Sequence, residues 1–408
     1  MVRRSWFSAV ALGFILVSCA KEEVPQVPVL QPQPQAPTEL TYEESTEVQL
    51  GKVIVFNFKG GSEELARENF YYFPTSIEKP FKEGQKFKTL VFLHGGGEST
   101  ATQPSASKVA LRYMRDYLEY AEKNQVLLIF PTTAYGWNLQ TRYYLRDLVK
   151  QIQIAYPVDG EKIVLSGHSM GGMGITREFG LIHHFFRGVL GQAAGAKESS
   201  TAAHLLQSYF YTPYIHLNGI NDHFTDFEPW MKSLERKLHL MEIEQGRNSF
   251  FELVFHKGNH QPNRELNEKF LNQLFEQERP AVQTEVYAVL EARNYPIAKV
   301  TPAVKEQTLD TVKWLKAKNY PMPTFEQGGM VRTVTAKVVS PVEIQIQLGA
   351  LTGAICWDIR TFEISNLDRL VDAKKKIRVF INGERVFSAK RKGRTSIDVW
   401  VPAKAYCQ

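Results

Sequence analysis

The chain has 408 residues, 43% of them hydrophobic, and a net charge of +6 from 49 Lys and Arg against 43 Asp and Glu. That length fits more than one domain, and the apolar fraction is that of an ordinary globular protein. The charge is too mild to argue for nucleic acid, no nucleic-acid module is visible, and no stretch beyond the first residues is apolar for long enough to cross a bilayer as a helix.

The N-terminus reads as a targeting segment. Arg3 and Arg4 precede an apolar core from Trp6 to Val17, too short to span a membrane comfortably. The core ends in Leu16-Val17-Ser18-Cys19, which resembles a bacterial lipoprotein box. The resemblance implies a mature chain that begins at an acylated Cys19 and is anchored to the cell envelope. An ordinary secretory signal peptide with a chance cysteine is the alternative, and both readings export the protein. Residues 20–45 are rich in Pro and Gln and cannot build a core, so a disordered tether of roughly 3 Å per residue is expected there. Of the three cysteines, Cys356 and Cys407 remain after Cys19, and in an exported protein a disulfide between them is permitted.

Residues 46–279 form the expected catalytic domain. Strand-like runs at 52–58, 70–73, 89–93, 126–130, 162–165, 188–191, 214–217 and 250–255 alternate with helical patterns at 107–123, 142–155, 170–180, 227–244 and 264–278. Such alternation predicts an α/β fold, a doubly wound, mostly parallel sheet whose first two strands form an antiparallel edge. The site should lie along the carboxyl ends of the strands.

Five motifs follow strand ends. The run ending at Leu93 leads into His94-Gly95-Gly96-Gly97, where glycines let backbone N–H groups face a ligand. The loop after Phe130 holds Tyr135, Trp137 and Asn138; with His94, Gly95 and His168 these supply the candidate pocket lining. Gly167-His168-Ser169-Met170-Gly171 follows the apolar run 162–165 and opens a helix, the context that a Gly-x-Ser-x-Gly elbow requires. A serine hydroxyl is a poor nucleophile unless it is fixed beside a base. Asp222 follows the run 214–217 and is the expected acid, with Asp226 as rival. His260 follows the run 250–255 in a glycine-containing turn and is the expected base; His256 is the alternative and is expected to pack at the strand end. His223 is expected beside the acid, and His183 and His184 at the surface or in packing.

On these motifs residues from about 48 to 279 resemble a bacterial α/β-hydrolase of the esterase type, close to the phospholipase/carboxylesterase, feruloyl esterase and polyhydroxybutyrate depolymerase-like group. Ile129-Phe130-Pro131-Thr132 with Gly136-Trp137, and Tyr156-Pro157-Val158-Asp159, add to the likeness. It implies a Ser169–His260–Asp222 triad and an oxyanion hole from the N–H groups of Gly96 and Met170. It specifies the substrate poorly, because one fold hosts many reactions. The expected function is hydrolysis of carboxylic esters, with no metal and no cofactor. A prolyl-oligopeptidase-type peptidase shares the elbow, but propeller-like repeats are absent from the sequence. A non-catalytic surface lipoprotein is the reading from another class.

Past Pro280 the pattern changes. Residues 280–330 carry helical patterning, including Val312-Lys313-Trp314-Leu315, and are expected to be a helical connector. Residues 331–408 read as a small all-β, sandwich-like domain with strands at 331–339, 342–348, 355–364, 377–381, 386–388 and 395–401. Asn382-Gly383 between two of these is a strong hairpin signal. Basic clusters at Lys374–Lys376, Arg378, Lys390-Arg391-Lys392 and Arg394 fit edge-protecting lysines on a solvated hairpin, or docking onto an anionic envelope surface.

Overall fold

The computed structural model describes residues 43–44, 49–58, 67–77, 84–96, 102–134, 136–137, 139–195, 206–224, 227–277, 285–291, 309–312, 314–318, 331–350, 361–372, 374–390 and 395–402. Cys19, Gly97, Tyr135, Asn138, Asp226, Cys356, Cys407 and the cluster Arg391–Arg394 lie outside these residues, and so does the tether up to residue 42.

Nine strands form one sheet: β1 (Glu43–Glu44), β2 (Val53–Phe58), β3 (Arg67–Tyr72), β4 (Phe87–Leu93), β5 (Val126–Pro131), β6 (Val158–His168), β7 (Gly188–Gln192), β8 (Tyr214–Gly219) and β9 (Phe251–His256). Their spatial order is β1-β2-β3-β5-β4-β6-β7-β8-β9. Every neighbouring pair from β5 to β9 is parallel. β3 runs against both β2 and β5, which gives the expected antiparallel edge. The pairing of β1 with β2 shows that Glu43 and Glu44, inside the span read as tether, are strand.

Strand residues alternate between two cores, one on each face of the sheet. Val91, Leu93, Leu127, Ile129, Ile163 and Leu165 face one way, against α2 (Leu139–Ala155), α3 (Met170–Ile182) and α4 (Phe227–Gln245). Leu90, Phe92, Val126, Leu128, Phe130 and Val164 face the other way, against α1 (Gln103–Asn124) and α5 (Arg264–Glu276). This two-sided burial is why the strands read as continuous apolar runs. Helix starts are fixed locally: the Thr102 hydroxyl accepts the Ser105 N–H to open α1, and the Asn263 side chain accepts the Leu266 N–H to open α5.

The C-terminal region corrects one expectation and extends another. Residues 280–330 are not a helical connector where described: β10 (Glu285–Glu291), β11 (Leu309–Val312) and β12 (Leu315–Lys318) are strands. β10 pairs residue by residue with β13 (Val331–Ser340), a partner beyond the reach of any local periodicity. Val312 and Leu315, read as helix, instead pair with each other across the antiparallel strands β11 and β12. The β region therefore begins at Glu285 rather than at 331.

β14 (Glu343–Ala350), β15 (Thr361–Ile364), a one-turn α6 (Leu367–Leu370), β16 (Lys376–Ile381), β17 (Glu384–Lys390) and β18 (Ile397–Trp400) complete two sheets. One has the order β10-β13-β14-β16-β17, the other β11-β12-β15-β18. Side chains of both meet in a single core: Val334, Ile344, Ile346 and Val379 from the first, Leu315, Phe362, Ile364 and Val399 from the second. Asn382 and Gly383 both have positive φ, 48° and 82°, as a two-residue hairpin between β16 and β17 requires.

Glu285 joins the two regions. Its carboxylate accepts from the Tyr211 hydroxyl at 3.2 Å and lies 3.6 Å from both Arg247 and Lys337.

Phe362 is fully buried between the two C-terminal sheets. Phe362→Ala should cost about 3–5 kcal/mol in denaturant unfolding of the β region. A loss below about 1 kcal/mol would mean that the two sheets do not share that core.

Candidate active site

The parallel strands bring the candidate residues together by register. Leu93, at the end of β4, sits opposite Gly167 in β6, so the His94-Gly95-Gly96 loop and the Ser169 elbow leave the sheet side by side. On the other flank His168 is opposite Gln192, and the Ser169 N–H donates to the Gln192 carbonyl at 2.9 Å. Gly219 at the end of β8 is opposite His256 at the end of β9, which places the Asp222 and His260 loops next to each other. Two backbone bonds tie those loops: Ile220 N–H to His256 O at 2.8 Å, and Asn221 N–H to Gly258 O at 3.1 Å.

Ser169 holds a strained backbone, φ 54° and ψ −117°. A non-glycine residue held outside its comfortable regions costs on the order of 1–3 kcal/mol and persists only where its surroundings dictate it. Here the surroundings are backbone. Gly171 packs so close to the end of β4 that a Cβ there would overlap the Leu93 carbonyl. A Cβ on Gly95 would stand 3.2 Å from the Ser169 Cβ, so the glycine loop lies directly against the elbow. Met170 is the first residue of α3, and a first-turn N–H has no acceptor within its own helix.

Ser169, His260 and Asp222 form one hydrogen-bonded chain. The His260 Nε2 is 2.9 Å from Ser169 Oγ, and its Nδ1 is 2.8 Å from Asp222 Oδ2. A carboxylate can only accept, so Nδ1 carries the proton and Nε2 is left to accept from the serine hydroxyl. The Asp222 side chain is 2% exposed and that of His260 25%. The other Asp222 oxygen accepts the Phe224 N–H at 3.1 Å. Such a chain can move a proton from the hydroxyl to the imidazole while the carboxylate holds the ring. His256 is no part of it; its Nδ1 accepts the Gly258 N–H at 3.0 Å. His183 is buried with its Nδ1 at 3.0 Å from the Thr212 hydroxyl.

Three residues expected to line a pocket are instead buried supports. His94 Nδ1–H donates to the Gly95 carbonyl at 2.7 Å, and its Nε2 accepts the Thr133 N–H at 3.2 Å. Trp137 packs in the core and donates from Nε1–H to the His94 carbonyl at 2.9 Å. His168 Nε2–H donates to the His260 carbonyl at 2.7 Å, and its Nδ1 accepts from the Tyr113 hydroxyl at 2.7 Å. Their types suit a pocket wall; only the folded packing turns them inward. Tyr113 went unread in the sequence, although with Tyr117 and Tyr120 it lies on the buried face of α1. Phe224 and Phe227, whose rings lie near-parallel to His260 at 4.6 and 6.1 Å, also went unread.

Electrostatics agree with this geometry. Burial, helped by the neighbouring His260, pushes His168 down to about 4. Burial pushes the Tyr113 phenol up to about 12, so it remains a donor. His216, whose Nε2–H donates to the Ala194 carbonyl at 2.8 Å, is likewise pushed down to about 4 by burial. Among the described residues no group of three or more His, Cys, Asp or Glu is placed to hold a metal ion, and no helix is long and apolar enough to cross a membrane.

The sheet order, the elbow and the chain order Ser, Asp, His define an α/β-hydrolase fold. Solved structures of similar fold include a fluorophosphonate-binding serine hydrolase of Staphylococcus aureus, FphF, 15% identical with a TM-score of 0.42, covering 56% of this chain and 100% of its own. The poly(3-hydroxybutyrate) depolymerase LpqC of Bordetella parapertussis is 14% identical with a TM-score of 0.42, over 57% of this chain and 92% of its own. Dipeptidyl peptidase 4 of Porphyromonas gingivalis is 12% identical with a TM-score of 0.42, over 56% of this chain and 36% of its own. These are likenesses of fold at low identity. No protein-family model matches the chain, and neither does any curated protein.

His168 and His216 are neutral when folded and free to protonate when unfolded. Stability should therefore fall as pH drops from about 6.5 toward 4, by up to ~1.4 kcal/mol per pH unit for each of them, and neither should contribute to the slope above that window. His168→Gln should flatten the slope by about one proton in denaturant unfolding between pH 4.5 and 7. An unchanged slope would mean that His168 is charged in the native protein.

Proposed function

We propose that this chain is a serine hydrolase that cleaves carboxylic esters through an acyl-enzyme. The observation that carries the reading is the continuous chain from Ser169 Oγ through His260 to the buried Asp222 at the carboxyl ends of the strands. Ser169 Oγ attacks the ester carbonyl as His260 Nε2 takes its proton. The resulting oxyanion is received by the N–H of Met170 and that of Gly96, beside the elbow, where one lost donor typically costs ~100- to 1000-fold in rate. The tetrahedral intermediate collapses; the proton passes from His260 to the leaving alcohol and the acyl group remains on Ser169. Water, deprotonated by the same imidazole, then releases the acid. Asp222 keeps the imidazole in the tautomer that accepts at Nε2 and stabilises its cation. An ester is preferred over a peptide as substrate because propeller-like repeats are absent from the sequence.

Ser169→Ala should abolish ester turnover while leaving the fold intact, since it removes one oxygen and keeps the elbow glycines. Asp222→Asn should lower kcat by about 10⁴ through loss of that tautomer. Steady-state kinetics on a matched ester and amide pair checks both. Undiminished turnover in Ser169→Ala would overturn the assignment, and faster cleavage of the amide would favour the peptidase reading.

We infer from the Arg3–Cys19 segment that the enzyme lies outside the cytoplasm, anchored through acylated Cys19 and set off from the membrane by the Pro- and Gln-rich residues that follow. Cys19→Ser should move the protein from the membrane to the soluble fraction of fractionated cells. Continued membrane association would point to the basic clusters of the β region.

A further inference from the structure

The loop that carries the acid holds two large apolar side chains in water. Ile220 is 49% exposed and Phe224 is 69% exposed, on either side of Asp222. Phe224 is nonetheless fixed. Its N–H donates to the same carboxylate that holds His260, and its ring lies 4.6 Å from the His260 ring at an interplanar angle of 16°. Phe227, buried beneath, is near-parallel to both, at 6.5 Å from Phe224 and 6.1 Å from His260. Phe224 is therefore an aromatic surface held in place by the acid, touching the base, with most of its area open.

The chemistry of the site says what would come to that surface. When the acyl–oxygen bond breaks, the electron pair leaves with the alcohol oxygen, and His260 Nε2 delivers the proton to it. That oxygen must therefore stand beside the imidazole, and its substituent must project along the flank of the ring. An open aromatic face pressed on the imidazole meets the alcohol part of the ester rather than the acyl part, which is bound to Ser169. We infer that Phe224 forms the wall of the leaving-group subsite, and that the enzyme selects esters whose alcohol carries an apolar aromatic group. This inference rests on the ester-hydrolase reading above.

The test compares wild type and Phe224→Ala on ethyl, benzyl and 2-phenylethyl acetate, which vary the alcohol, and on ethyl acetate and ethyl butyrate, which vary the acyl group. Wild type should prefer the benzyl and phenylethyl esters. Phe224→Ala should lose about tenfold in kcat/KM on those two relative to ethyl acetate, chiefly through KM, with the acyl ratio within about twofold. Phe224→Tyr, which keeps the ring, should restore the preference. An equal loss on every ester would overturn the inference and leave Phe224 as a cover over the Asp222–His260 bond. A shift confined to the acyl series, or a wild type active on all four esters without alcohol preference, would overturn it too and leave the hydrolase reading standing. A wild type that hydrolyses none of them would sink the ester reading itself, and this inference with it.

Discussion

The close approach of α3 to the end of β4 is the constraint on which the site depends. Gly171 leaves no room for a side chain against the Leu93 carbonyl, and the chain between β6 and α3 must turn within one residue. That residue is Ser169, and the turn forces it to φ 54°. The strain is held by the parallel register of β4, β6 and β7, buried on both faces by the two cores. The stability of the sheet thus maintains an unfavourable conformation at one residue, and the result is a hydroxyl held 2.9 Å from the His260 imidazole.

His260 is held on three sides. Asp222 takes the Nδ1 proton, His168 binds the main-chain carbonyl, and Phe224 lies on the ring face. His168 performs its part only as a neutral imidazole, because one nitrogen must donate to His260 while the other accepts from Tyr113. Its burial secures that state, so a residue adjacent in sequence to Ser169 holds His260 from 92 residues away along the chain.

Much of this was legible in the sequence because it is local. A glycine-framed serine between an apolar run and a helix, an aspartate past one strand and a histidine past the next are all short-range patterns, and Ser169, Asp222 and His260 do meet. The fold class was legible for the same reason: two-sided burial writes unbroken apolar runs. What escaped notice depends on partners far away in the chain. His94, Trp137 and His168 have the chemistry of a pocket and the burial of a core. β10 looks helical until it is laid against β13. Phe224 is an unremarkable loop phenylalanine until the Asp222 carboxylate fixes its backbone and His260 meets its ring.

The proposed triad requires that Ser169 be made nucleophilic by His260 and Asp222. Mass mapping of the protein after exposure to a fluorophosphonate tests it most directly. One adduct per chain is expected, on Ser169, formed rapidly in the wild type and not detectably when His260 is replaced by Ala. No adduct, an adduct on another residue, or equal labelling without His260 would contradict it.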